Sequence, residues 1–401
     1  MNTQLKVLFS FLMITALAFG FINIYFPSQN YSFERLHIFL FNLCTGGTIL
    51  LYYTQRKTQV SKTVRLFFLC SLIYAFSAFF LLYPVTILVS VVLYILVEKV
   101  RIENFSLLPI QFFQKKVSVS DKFHQASLLC LSTGIVMASL VILNNEYFKW
   151  VTMEKLTLNT FFLGFSFPLS LITLSLVFSM LKKLEGSGRK VIMEFCFWTI
   201  TLGVIIFFIF ILFERFIPQI FVTTALFIAV VTVFYLYSTF AERVQQKLFL
   251  TSGIGFLILT AISGILYIFL QMGDDYDPEK TKWLLHMHVF ASLYGWNLCG
   301  LSVICRFDDF PIKLHSPTVI FIHWLTAIVL APLGVFYGWF AVLAILGYAF
   351  ITITLFFSSN RSNIDRSNID RSNIDRSNID RSNIGGRPSA ARAEPQENLN
   401  R

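Results

Sequence analysis

Apolar runs return along almost the whole of this chain, and most have the length a helix needs to cross a bilayer. A spanning helix takes about 20 mostly apolar residues, because lipid offers its backbone no hydrogen-bond partners. On that criterion twelve crossings are expected, at 6–26, 36–55, 65–83, 84–98, 124–144, 157–181, 190–213, 216–239, 248–271, 283–305, 316–335 and 337–357. The fourth is short, and Pro84 sets its start. The first carries Lys6 and Ala16-Leu-Ala18 as a signal peptide would, yet its apolar run continues past that point. With 56% hydrophobic residues, 13% charged and a mean hydropathy of +0.69, the chain has too little polar surface for a soluble domain. The expected fold is an all-α polytopic membrane protein of about twelve transmembrane helices.

Charge fixes the expected orientation. Arg56, Lys57, Lys62 and Arg65 follow the second crossing, and Lys99, Arg101, Lys115, Lys116 and Lys122 follow the fourth. Lys182, Lys183, Arg189 and Lys190 follow the sixth, Arg243 and Lys247 the eighth, Arg306 and Lys313 the tenth. All these loops share one side, and the acidic loop Asp274-Asp275-Tyr276-Asp277 lies on the other. The positive-inside rule then puts both termini in the cytoplasm of a bacterial-type inner (plasma) membrane. The net charge of +10 is read as this asymmetry and not as a nucleic-acid surface. Six scattered cysteines without a C-x-x-C pair suggest neither a zinc site nor a disulfide framework.

The chain divides by composition into a membrane domain, 1–358, and a tail, 359–401. From Arg361 the tail repeats Arg-Ser-Asn-Ile-Asp four times, then closes with Arg-Ser-Asn-Ile-Gly and a polar end. It has too little apolar content to fold by burial and reads as a disordered, low-complexity cytoplasmic segment.

The chemistry-bearing residues are histidines. His37 opens the second crossing, and His286 and His288 open the tenth. Both helices run inward from the outer side in this topology, so the three are expected at similar depth. Two residues apart on a helix is about 200° of rotation, so His286 and His288 point to opposite sides and cannot share one metal. Intramembrane histidines are costly and mark functional sites, and neutral imidazole is a good axial ligand for haem iron. His124 and His323 lie near the cytoplasmic face and read as interfacial, and His315 falls in a loop with Asp308 and Asp309. Glu194 is the candidate intramembrane carboxylate, for proton uptake or for pairing with Arg189 or Lys190. Gly46-Gly47 in the second crossing suits close approach of another helix or of a flat macrocycle. Gly295 and Cys299 should follow the His288 face and Asn297 the His286 face, lining haem pockets.

A histidine opening helix two and a His-x-His opening helix ten, on a twelve-helix chain, resemble subunit I of the haem–copper oxidases, a superfamily that includes the nitric oxide reductases. The stretch His286-Met-His-Val-Phe-Ala-Ser-Leu-Tyr-Gly-Trp-Asn-Leu-Cys-Gly300 is similar to helix ten of divergent members. The resemblance implies two haems. His37 and His288 would ligate a low-spin haem iron, and His286 a high-spin one. It also implies a cytochrome c-like or quinol electron donor and a partner subunit. It stops at the second metal: helices six and seven contain no histidine, so no copper site is recognisable. The arginine pair that family members place between helices eleven and twelve is absent, and Arg35, Arg215, Lys280 and Lys282 are the available substitutes.

The expected function is electron transfer through haem, with binding or reduction of a diatomic gas such as nitric oxide or oxygen. That would make the chain an oxidoreductase of the terminal oxidase or nitric oxide reductase type, without an efficient four-electron reaction. Two alternatives stand beside it: a nitric oxide stress protein of the NnrS type, and a haem-free transporter or assembly scaffold.

Overall fold

Helix follows apolar sequence throughout. The computed structural model describes residues 1–358 apart from 2, 29, 57–58, 154, 182–186, 242–245, 274 and 307–315. The repeat tail, His315, and the loop cations Lys57, Lys182, Lys183, Arg243 and Lys313 lie outside the described residues. Among the described residues there is no strand.

The membrane helices are α1 (Thr3–Tyr25), α2 (Phe33–Gln55), α3 (Lys62–Phe79), α4 (Tyr83–Asn104), α5 (Val119–Phe148) and α6 (Leu156–Phe161 continued by Phe162–Ser179). They continue with α7 (Ser187–Leu212), α8 (Phe216–Phe240), α9 (Gln246–Gln271), α10 (Pro278–Cys305), α11 (Pro317–Gly334) and α12 (Gly338–Phe357). Polar caps set several starts. The Ser32, Ser61 and Ser118 hydroxyls accept from the N–H groups of Arg35, Val64 and Asp121. Asp277 caps α10 by accepting from the Glu279 N–H, with Pro278 in the first helical position. That bond and the neighbouring Lys280 hold the Asp277 carboxyl below the ordinary carboxylate range.

Eleven of these helices are long and apolar enough to cross a membrane, against the twelve crossings expected. The exception is α4. It forms a 22-residue helix where 84–98 was expected, but Glu98, Lys99, Arg101 and Glu103 occupy its last third. The uncharged stretch 83–97 is about 22 Å long at 1.5 Å per residue, short of the ~30 Å hydrocarbon core. Arg101 holds Glu98 at 2.6 Å and donates to the carbonyls of Ser106 and Leu107, which closes the end of α4.

Three helices form the centre. In α2 and α10, 83% of the membrane segment is buried inside the protein, and in α6 78%; in α7 only 17% is. Each central helix contains a π-helical stretch: Phe39–Gly47, Phe162–Ser166 and Ala291–Asn297. Each stretch includes glycine. These glycines face neighbouring side chains or backbone: Gly46 meets Leu169, Gly47 meets Phe67, and Gly295 meets Phe256. Gly46-Gly47 is thus occupied by helix packing. The closest approach is between α5 and α6, where Gly134 and Gly164 abut backbone to backbone. A Cβ on Gly164 would lie 2.7 Å from the Gly134 Cα, and no side-chain rotation relieves a clash with backbone.

Gly164→Val should therefore separate α5 from α6 and cost about 3 kcal/mol, at the upper end of overpacking penalties. A clear fall in the thermal midpoint of the detergent-solubilised protein is expected. Gly188→Val, at a position with nothing within 4 Å of the added Cβ, should leave the midpoint nearly unchanged. Equal midpoints for the two variants would refute the contact.

Candidate functional site

The three histidines are held in different ways. His37 donates from Nδ1 to the Ala16 carbonyl of α1 at 2.7 Å. A carbonyl only accepts, so in the neutral ring the proton sits on Nδ1 and the lone pair on Nε2. The Tyr294 oxygen of α10 lies 3.0 Å from the same Nδ1 as a second acceptor. Gly20 leaves room for the ring, since a Cβ there would be 2.9 Å from Nδ1.

His288 repeats the arrangement on the other side of α10. Its Nδ1 donates to the Thr260 carbonyl of α9 at 2.9 Å, with Ser263 Oγ at 3.3 Å. Gly264 makes the room here; a Cβ would stand 3.2 Å from the imidazole Cε1. Again Nε2 keeps the lone pair. A carbonyl that accepts from one ring nitrogen is the usual way a ligating histidine is oriented. His286 lies one turn before Phe290 and near its ring, at 6.4 Å between centroids, and Phe290 packs on Phe21 of α1 at 5.9 Å. The Nε2 of His286 is buried and has no hydrogen-bond partner.

These positions bear on the expected sharing of ligands. His288 turns to α9 and His37 to α1, while the ring contact of His286 is with Phe290 of its own helix. No described hydrogen bond or ring contact joins His37 to His286 or His288. His37 instead meets Tyr294, which is about 9 Å further along α10 than His288 and about 12 Å further than His286. The donor set fits haem iron at each imidazole taken singly, since two rings are oriented with Nε2 open and the third has an orphaned Nε2.

His288 lines a partly open cavity of about 360 Å³ between α6, α7, α8, α9 and α10, called the main cavity below. That size lies within the range of small-molecule and cofactor sites. Its longer polar side chains, Gln219, Tyr267, Gln271 and Lys155, stand where α9 ends and α10 begins; Ser166, Ser170, Thr260 and Ser292 lie further along, with Leu174, Ile200, Val230 and Leu257. Nothing in the sequence singles out Lys155, Thr260 or Gly264. Of the cations suggested as substitutes, Arg35 lies over the Tyr83 ring at 5.6 Å, and Lys280 and Lys282 pair with Asp277 and Glu279.

Other side chains are placed as follows. His124, near the start of α5, is buried inside the protein, with Nε2 2.8 Å from Thr54 Oγ1 and its ring stacked on Tyr53. His323 is buried too, and its Nε2 donates to the Tyr294 carbonyl at 2.7 Å. Both use the nitrogen that a ligand would need. Asn297 binds Ser166 and Ser170 of α6, and Cys299 packs on Gly253 and His323, so neither lines a haem pocket beside His286 or His288. The widened turn at Ala291–Asn297 shifts every face counted from the histidines. Glu194 pairs with Lys122 of α5 at 2.7 Å, not with Arg189 or Lys190. The chain matches no protein-family model, no characterised protein and no solved structure.

The Lys122–Glu194 pair yields a stability prediction. Lys122 is 2% exposed, so Glu194→Gln leaves a buried ammonium without its counter-charge. Because Glu194 is 23% exposed and water reaches it, the expected cost is about 2 kcal/mol, below that of a fully buried broken pair. Lys122→Met combined with Glu194→Leu should recover most of that loss in a denaturation measurement. A double variant less stable than Glu194→Gln would show that the pair is not what holds α5 to α7.

Proposed function

We propose that this chain is a membrane-embedded haem protein serving electron transfer and the binding of a diatomic gas, with His288 as the protein ligand in the main cavity. The observation that carries the reading is the Nδ1–H bond of His288 to the Thr260 carbonyl, which turns a lone-pair Nε2 into use on a residue lining a 360 Å³ space. Haem iron held by one histidine keeps an open face and supplies gas binding and one-electron redox chemistry. The residues of this chain do the rest. Thr260 fixes the tautomer, Gly264 admits the ring, and the apolar walls from α6 to α9 exclude water.

This reading keeps the layout of the haem–copper oxidase resemblance and exchanges two roles. His288, not His286, is the solitary ligand. His286, with its unpartnered Nε2, and His37 are the candidates for a second haem. With α4 counted as a twelfth, short crossing met by local thinning of the bilayer, the loop charges support placement in a bacterial plasma membrane with both termini in the cytoplasm. A donor of the cytochrome c or quinol class would deliver electrons from the side where α10 begins.

The test is a dithionite-reduced minus oxidised spectrum of purified protein from haem-supplemented cells, repeated under carbon monoxide. A haem band with a carbon monoxide shift is expected, with the shift lost in His288→Ala and kept in His124→Ala. Well-folded protein without a haem band would overturn the reading and favour the haem-free transporter or scaffold.

A further inference from the structure

We propose that the outer end of the main cavity is a carboxylate subsite, in which Lys155 binds the acid group of an amphiphile whose apolar body fills the cavity. Glu214 occupies that lysine until the ligand arrives. The proposal rests on the cavity being a ligand site. It depends on haem only for one of the two ligands considered below.

Four observations lead there. First, among the described residues lining the cavity, Lys155 is the one Lys, Arg, Asp or Glu. A single cation suits a single carboxylate better than a doubly charged phosphate. Second, the long polar side chains stand at one end. Gln219, Gln271 and Lys155 lie where α9 finishes, and beyond them the lining is Leu174, Val230 and Leu257 with only His288 and the small hydroxyls of Ser166, Ser170, Thr223, Thr260 and Ser292. From Gln271 to Leu257 is about 21 Å along α9, the reach of a long apolar body with its polar group at one end.

Third, the counter-ion of Lys155 is in place but exchangeable. Its Nζ is 3.1 Å from Glu214 Oε1, and the two side chains are 31% and 66% exposed. An ion pair so open to water contributes little and can be displaced by a better-buried acid. Fourth, Glu214 sits in the tight turn between α7 and α8 with a positive φ of 52°. The chain adopts a conformation uncommon for a residue with a side chain, and that conformation sets Glu214 against Lys155 at the mouth.

Two sources share this chemistry: the propionate of a haem and the acid group of a long-chain fatty acid. The experiment separates them. Full-length protein purified in detergent is titrated with haemin and with haemin dimethyl ester by Soret absorbance, and with oleate and oleyl alcohol by native mass spectrometry. Lys155→Gln should weaken binding of the acid form about tenfold, the scale of one charge-assisted hydrogen bond. Lys155→Arg should retain most of the affinity. Glu214→Gln, by removing the competitor, should strengthen acid binding several-fold. None of the three should alter binding of the ester or the alcohol. The Glu214 result is the informative one, since a purely structural ion pair predicts weaker binding when it is broken.

If haemin follows this pattern, the subsite and the haem reading both stand. If oleate alone follows it, the subsite stands and haem at His288 falls. Acid and ester binding equally in the wild type, or a Lys155→Gln variant that binds the acids as well as the wild type, would overturn the subsite. The haem reading would then be judged by the spectrum alone.

Discussion

A bilayer interior supplies no water, and that absence governs every polar side chain in this bundle. Each backbone N–H and C=O is satisfied along its own helix, so helices can be tied together only by packing or by the few polar side chains that reach across. Four of the six histidines serve as such ties. His37 joins α2 to α1, His288 joins α10 to α9, His124 joins α5 to α2, and His323 joins α11 to α10. The difference between them is which nitrogen is consumed. His124 and His323 engage Nε2, while His37 and His288 engage Nδ1. Under the proposed haem reading that distinction separates a structural histidine from one oriented to meet a ligand, and the neighbouring helix sets it.

The helices themselves were legible in the sequence, because apolar length is sufficient to specify them. Even α4 appeared at the right place, and its shortfall as a span follows from four charges already visible between Glu98 and Glu103. The three histidines at the starts of α2 and α10 were equally visible. What was not legible is which of them face one another. Face counting assumes 100° per residue, and α10 keeps to that only as far as Phe290. Beyond it the π-helical turn carries Gly295, Asn297 and Cys299 to other neighbours: Phe256, Ser166 with Ser170, and His323. The same widening in α2 begins two residues after His37. No local sequence rule announces a π stretch, so errors of this kind accumulate exactly where central helices are most buried.

Glycine played a different part from the expected one. Gly46 and Gly47 drew notice as a pair, yet they serve contacts with Leu169 and Phe67. The glycines that make room for imidazoles, Gly20 and Gly264, are single and lie on the partner helices. They carry no signal unless the pairing of α1 with α2 and of α9 with α10 is already known. Gly134 and Gly164 are separated by 30 residues and gain meaning only when α5 lies on α6.

Charge shows the same limit and suggests why the cavity opens where it does. Of the four cations flagged for an acidic cofactor, Arg35 lies over Tyr83, and Lys280 and Lys282 sit in exposed pairs of little strength. Lys155 lies in the loop before α6 and Glu214 in the turn after α7, and neither position stands out in a chain with 32 basic residues. Their meeting depends on α7 and α8, and α7 is the least buried helix of the membrane set. The α7 wall, packed mainly on α8 and tied to α5 by the Lys122–Glu194 pair near its start, forms one side of the cavity, and its lining residues Ile200, Val204, Phe207, Phe208 and Ile211 are all apolar. The polar end is then left to decide which apolar ligand remains: a body without an acid group gains only burial, and one with an acid group also gains a cation that water had kept weakly paired.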